Sequence, residues 1–137
     1  MRLWLTIVIL AFAATSVAAQ EPKVTVVPVA HTNVTITGQP IIVPDRPDVL
    51  VSIATFPPGA RLPVHEHPYP HLAYVLEGTL TVTNTQTGKR FAVRAGQFLA
   101  EMQNTWHFGA NEGPVPVKLL IIDEVPHGTA SNVLPKK

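Results

Sequence analysis

From residue 20 onward the apolar pattern alternates with a period of two, and almost no stretch keeps the 3.6-residue period of a helix. Val49–Phe56 reads as a strand ended by Pro57-Pro58-Gly59. His71–Glu77 and Thr79–Thr83 flank Gly78, and in the second of these Leu80 and Val82 alternate with threonines, so one face is buried and the other wet. Thr85-Gln86-Thr87-Gly88 turns into Lys89–Arg94, where Phe91 and Val93 alternate with Arg90, Ala92 and Arg94, and Val117–Val125 is a late apolar strand. Earlier, Val24–Val29, Asn33–Thr37 and Pro40–Val43 are short β-rich runs cut by Pro28, Gly38 and Pro44. About ten short strands separated by proline and glycine turns predict an all-β sandwich or barrel.

Residues 1–19 stand apart from this pattern. Arg2 gives a positive start, Leu3–Ala14 is an apolar core, and Ser16-Val17-Ala18-Ala19 supplies small residues before Gln20, which is the form of a secretory signal peptide. The apolar stretch is short for a spanning helix, so export to the periplasm or the medium is expected and a membrane anchor is not. Cleavage there would leave 118 residues (137 less 19) with nine basic and nine acidic side chains and no cysteine. A neutral surface with scattered charges carries no footprint for nucleic acid or an acidic membrane, which leaves small molecules as the expected partners. Without disulfides, stability must come from the sheet core, a metal or a subunit interface.

Four of the six histidines fall into a spaced set, His65-x-His67-x3-His71 and then His107. Chance would place about 0.01 copies of the first triple in a chain of this composition, so scattered surface histidines are a poor explanation. Imidazole is the commonest protein ligand for a transition metal, and residues two apart on a strand share a face, so His65 and His67 can reach one ion together. Pro68-Tyr69-Pro70 turns the chain and delivers His71, while His107 must arrive from a distant segment. A mononuclear divalent site follows, with Mn, Fe or Cu as the expected metals and Ni or Zn as alternatives.

The glycines around these histidines matter as well. Gly59-x5-His65-x-His67-x3-His71-x6-Gly78 resembles the first cupin motif, with His71 where an acidic ligand usually stands. Gly96-x5-Met102-x-Asn104-x2-His107-x3-Asn111 resembles the second, with Met102 in place of its proline and Asn104 in place of its second glycine. Asn104 suits that turn because asparagine tolerates positive φ best among the residues with a Cβ. The resemblance runs over roughly Val49 to Val125 and implies a single-domain jelly-roll barrel with a metal inside. It divides the chain into a leader (1–19), N-terminal strands and linker (20–48), a core (49–126) and a flexible tail (127–137). It also implies pairing through N-terminal strands, and the proline-broken runs between Val24 and Val43 would leave ladder groups for a second copy to cover, so a homodimer is expected.

Around the four ligands, Tyr69 in the loop before His71 is a candidate substrate contact. Trp106 and Phe108 flank His107 and alternate away from it, which suits core packing as well as a pocket wall. Arg61 is a candidate for meeting an anion at the mouth, against the plainer reading of a solvated loop charge. Glu66 faces away from its histidine neighbours. Glu101 and Gln103 are expected at a solvent-facing rim, with a supporting contact behind the ligands as the alternative, and His31 and His127 at the surface. Four neutral imidazoles leave a divalent ion its full +2 charge, and no general base stands out, so chemistry is expected at the metal. A dioxygenase-like oxidoreductase acting on a small organic molecule is the leading expectation; a non-catalytic metal- or ligand-binding protein and a metal-assisted lyase or isomerase are its rivals.

Overall fold

A computed structural model describes residues 21–136, so the expected leader lies outside the described residues. Among them there is no helix. Seven strands carry the fold: β1 (Asp48–Phe56), β2 (His71–Glu77), β3 (Thr79–Asn84), β4 (Arg90–Arg94), β5 (Phe98–Ala100), β6 (His107–Ala110) and β7 (Val117–Val125). They form two antiparallel sheets in the orders β1-β7-β2-β5 and β4-β3-β6, the expected jelly-roll class. Val75, Leu99 and Leu119 from the first sheet and Leu80, Val82 and Val93 from the second belong to one buried cluster. Each such side chain contributes roughly 1.5–3 kcal/mol when fully removed from water.

The N-terminal runs differ from the expectation. Val24–Val29 forms no strand and its valines are exposed, and of Asn33–Thr37 and Pro40–Val43 only a single Val34–Pro40 bridge forms. A ladder needs donors on both sides, and Pro28, Pro40 and Pro44 remove three of them. This segment is tied down at particular points instead. Ile36 N–H donates to the Ala100 carbonyl at 2.8 Å, and the Gln103 amide pairs with Ile42 in both directions, at 2.9 and 3.1 Å. Gln103 is therefore buried at 5% exposure and faces a neighbouring segment, which corrects the expectation of a solvent-facing rim residue. Its amide also donates to the Pro68 carbonyl at 3.3 Å, which explains why an amide can be buried there.

Two turns position the site. Gly78 joins β2 to β3 at φ +75°, where a Cβ would stand 2.5 Å from the Pro116 carbonyl oxygen, so no side chain fits between this turn and the entry to β7. Asn104 takes φ +50°, the left-handed conformation expected of it, in the turn that feeds β6. Asn111 closes the other end of β6 by donating to the Phe56 and Val115 carbonyls at 2.9 and 2.8 Å.

Candidate metal centre

His65 and His67 do not lie on a regular strand. Pro63 and Pro68 interrupt the ladder, and the segment between them meets its neighbours through isolated bridges. His65 and His107 exchange both backbone hydrogen bonds at 2.9 Å, which makes them directly opposed residues whose side chains leave one face of the sheet. His67 bridges to Gln103 in parallel. The ring centroids of His65, His67 and His107 stand 4.7 to 5.2 Å apart, so the three imidazoles crowd one point.

The fourth member of that group is a carboxylate. Glu101 Oε2 lies 2.8 Å from His107 Nε2 and 3.3 Å from His67 Nε2, and the donor atoms of His65, His67, Glu101 and His107 all fall within 4.8 Å of one another. Glu101 is 7% exposed and His107 0%, so the expectation that Glu101 faces solvent is corrected. The sequence carried a signal for this: Glu101 is a lone charge inside Phe-Leu-Ala-Glu-Met, and the chain charges such a position only where partners wait.

His71 stands beside this group. Its ring stacks on His67 with centroids 4.0 Å apart and planes 6° off parallel, and its Nδ1 donates to Asp123 Oδ1 at 2.6 Å. His67, His71 and Asp123 form a second cluster of metal-capable groups that shares His67 with the first. Asp123 lies outside both motifs, although alternation from Val117, Leu119 and Ile121 puts it on the inward face of β7.

All four histidines commit Nδ1 to an oxygen acceptor. His65 donates to the Pro63 carbonyl at 2.8 Å, His67 to the Ser131 carbonyl at 2.8 Å, His107 to the Thr105 carbonyl at 2.7 Å and His71 to Asp123. A carbonyl cannot donate, so Nδ1 carries the hydrogen, and a neutral ring then holds its lone pair on Nε2. Outer hydrogen bonds of this kind orient metal-bound histidines. The buried His67 Nε2 has no hydrogen-bond partner; Glu101 is near it but out of alignment. An unpartnered nitrogen lone pair facing a buried carboxylate is a pair of acceptors, and only a cation or a proton between them removes the repulsion. The residues present therefore fit a divalent transition metal.

Electrostatics in the metal-free protein agree with that reading. Burial alone would raise the Glu101 carboxyl, yet hydrogen bonding from His107 and the nearby His67 and His71 rings hold it well below the usual carboxylate range. Burial opposes charge on His107 too, and contact with Glu101 outweighs it and raises the imidazole. Burial likewise opposes charge on His71, where the Asp123 hydrogen bond and the Glu101 charge win and raise it. His65 is lowered, chiefly by burial. With Nδ1 on the Thr105 carbonyl and Nε2 on the Glu101 carboxylate, His107 is the ring from which a metal would displace a proton.

His65, His67, His71 and Glu101 line a cavity of about 470 Å³, with Ala54, Phe56, Leu119 and Ile121 among its apolar walls. That is within the range of small-molecule sites. Arg61 also lines it, with its guanidinium 3.5 Å from the centroid of the Phe108 ring. Phe108 itself borders a separate surface depression, Tyr69 borders another beside Gln103 and Ile42, and Trp106 is half-buried outside the cavity wall. His127 pairs with Asp48 at the surface and His31 is exposed, as expected. The tail, by contrast, returns to the site: Ser131 and Asn132 line the cavity.

A family model described as Cupin domain matches residues 52–123. No curated protein matches the chain in sequence. Among solved structures, the polyketide cyclase RemF from Streptomyces resistomycificus is similar at a TM-score of 0.54 and 19% identity, over 65% of this chain and 63% of the cyclase. An oxalate oxidase in complex with glycolate is similar at a TM-score of 0.50 and 24% identity, over 63% of this chain and 45% of the oxidase. An uncharacterized conserved protein with a double-stranded β-helix domain from Klebsiella pneumoniae reaches a TM-score of 0.55 at 16% identity, over 84% of this chain and all of that one. The chain thus spans under two thirds of the cyclase and under half of the oxidase, and likeness at these identities carries the fold alone.

Proposed function

Because the chain belongs to the cupin family, with its model matching residues 52–123, we propose that it is a metal-dependent oxidoreductase acting on a small organic molecule in the 470 Å³ cavity. The observation that carries this is the shared commitment of Nδ1 in His65, His67 and His107, which turns three Nε2 atoms toward one buried carboxylate. These three and Glu101 would hold the ion, with one negative ligand reducing its charge to a net +1. Iron, manganese or copper held by these residues would supply one-electron chemistry toward dioxygen.

The protein's own contribution is position and a dry wall. Ala54, Phe56, Leu119 and Ile121 exclude water from the substrate, which strengthens every polar contact inside. His71, with Nδ1 given to Asp123, has Nε2 left to hold or exchange a proton at the cavity wall. This oriented dyad is also the observation that favours a second reading, a metal-assisted lyase or isomerase. The two readings differ in their need for oxygen. Metal-loaded protein given small enolic or phenolic substrates should consume dioxygen and fall silent without it; turnover at the same rate in anaerobic buffer would sink the oxidoreductase and favour the lyase or isomerase.

Assembly follows from β1. Val49, Val51 and Ile53 share one face of this edge strand and are 57%, 62% and 54% exposed. Such a stripe is a liability on a monomer. The mature protein should sediment as a homodimer, and Val51→Lys should shift it to the monomer mass. A monomeric parent at micromolar concentration would refute the pairing. Export of the chain through its residue 1–19 leader is part of the same proposal, and N-terminal sequencing of secreted protein checks it.

A further inference from the structure

The geometry points to the C-terminal strap, Pro126–Val133, as a component of the metal centre whose closure is coupled to metal binding through His67. This rests on the proposed metal site. The strap is fastened at both ends. Near its start the Asp48 carboxylate takes His127 Nδ1 at 2.9 Å and the Gly128 N–H at 3.3 Å, and Thr129 folds back on the Pro126 carbonyl at 3.0 Å. At its far end Val133 and Glu66 exchange backbone hydrogen bonds at 2.9 and 3.1 Å. Between these anchors Ser131 and Asn132 line the cavity, and the Ser131 carbonyl accepts the Nδ1–H of His67.

The coupling is a matter of tautomers. A neutral imidazole places its one hydrogen on Nδ1 or on Nε2. A metal on Nε2 forbids the second choice, so loading keeps the donor aimed at Ser131 and favours the closed strap. Without metal, His67 can carry its hydrogen on Nε2, toward Glu101, and the Ser131 carbonyl then loses its partner. Glu66 lies between His65 and His67, so the backbone pair with Val133 also fixes the segment that presents both rings. By reciprocity, whatever factor the metal adds to strap closure the closed strap adds to metal affinity. Ser131 is thus a positioning residue acting through its backbone.

Two variants test this: a chain ending at Gly128, and Val133→Pro, which removes the N–H that donates to Glu66. Cobalt(II) titration followed by visible absorption should show roughly 10- to 100-fold weaker binding in both, the size of effect seen when a partner of a metal-bound histidine is lost. Amide exchange at Val133 in the parent should slow when cobalt is added. A merely structural strap would lower the melting temperature equally with and without metal; the coupled strap lowers mainly the metal-loaded value. Unchanged cobalt affinity in Val133→Pro, or Val133 exchange indifferent to metal, overturns the coupling while the site stands. A parent that takes up no cobalt overturns the site itself and the strap with it. Should the shortened chain fail to fold, the proline variant decides.

Discussion

Glu101→Gln is expected to fold like the parent and to lose most of its metal affinity. Glutamine keeps the shape and the acceptor oxygen and removes the charge, so the change isolates what the carboxylate does. A four-ligand site binding with about 10–16 kcal/mol apportions about 2.5–4 kcal/mol to each ligand, so a fall of roughly 10²- to 10³-fold is expected for Glu101→Gln and for His107→Ala. His31→Ala should leave metal content unchanged, since that side chain is exposed and remote from the cluster. Metal counted by mass spectrometry settles it, and full occupancy in Glu101→Gln would remove the carboxylate from the donor set.

Protons report on the same residues. In the metal-free protein Glu101 is depressed, so its stabilising charge is present above its unfolded value and is lost as pH falls through the folded one. His107 is raised, so its contribution is complete below 6.5 and is lost as pH rises through its folded value. Metal must displace that proton. Uptake should therefore release protons, seen as a difference in calorimetric heat between two buffers, and apparent affinity should rise with pH. Glu101→Gln removes the group that holds the proton on His107, so proton release should shrink with it.

Gly78→Ala is expected to be among the most costly single changes outside the site. The new Cβ would meet the Pro116 oxygen at 2.5 Å and Val117 Cγ2 at 2.9 Å, both at the entry to β7, on top of the strain of φ +75°. Strain of about 1–3 kcal/mol and overpacking of about 1–3 kcal/mol together approach half of an ordinary domain's stability. Gly59→Ala, at φ +79° with nothing within 4 Å, carries the strain alone. Chemical denaturation of the two should separate clash from strain, and equal losses would mean the turn relaxes.

The strands and the three histidines that crowd one point were legible because they obey local rules: alternation for Leu80 and Val82, motif spacing for His65, His67 and His107, and the left-handed turn for Asn104. What escaped depends on contacts far apart in sequence. Glu101 is buried because His107 and His67 converge on it from other segments, and a charge beside a rim residue looks the same on paper whether solvent or imidazole lies across from it. Ser131 acts through a carbonyl, which every residue has, so no side-chain pattern could mark it. The N-terminal runs failed in the opposite sense, since β propensity without donors yields no ladder.

The pairing of β1 with β7 joins Asp48 to Val125, strands separated by nearly the whole domain. Closing such a loop costs entropy before any contact repays it, so this sheet is assembled late and slowly, on the millisecond-to-second scale of non-local β folds. His65 and His67 are neighbours from the start, whereas Glu101 and His107 reach them only once β6 has paired with β3 and with the His65 segment. An ion that met the nascent chain would find two imidazoles and little else. On the proposed metal site, capture of an ion would therefore follow the pairing of distant segments, and the order of folding would decide when a copy of the chain can select its ion.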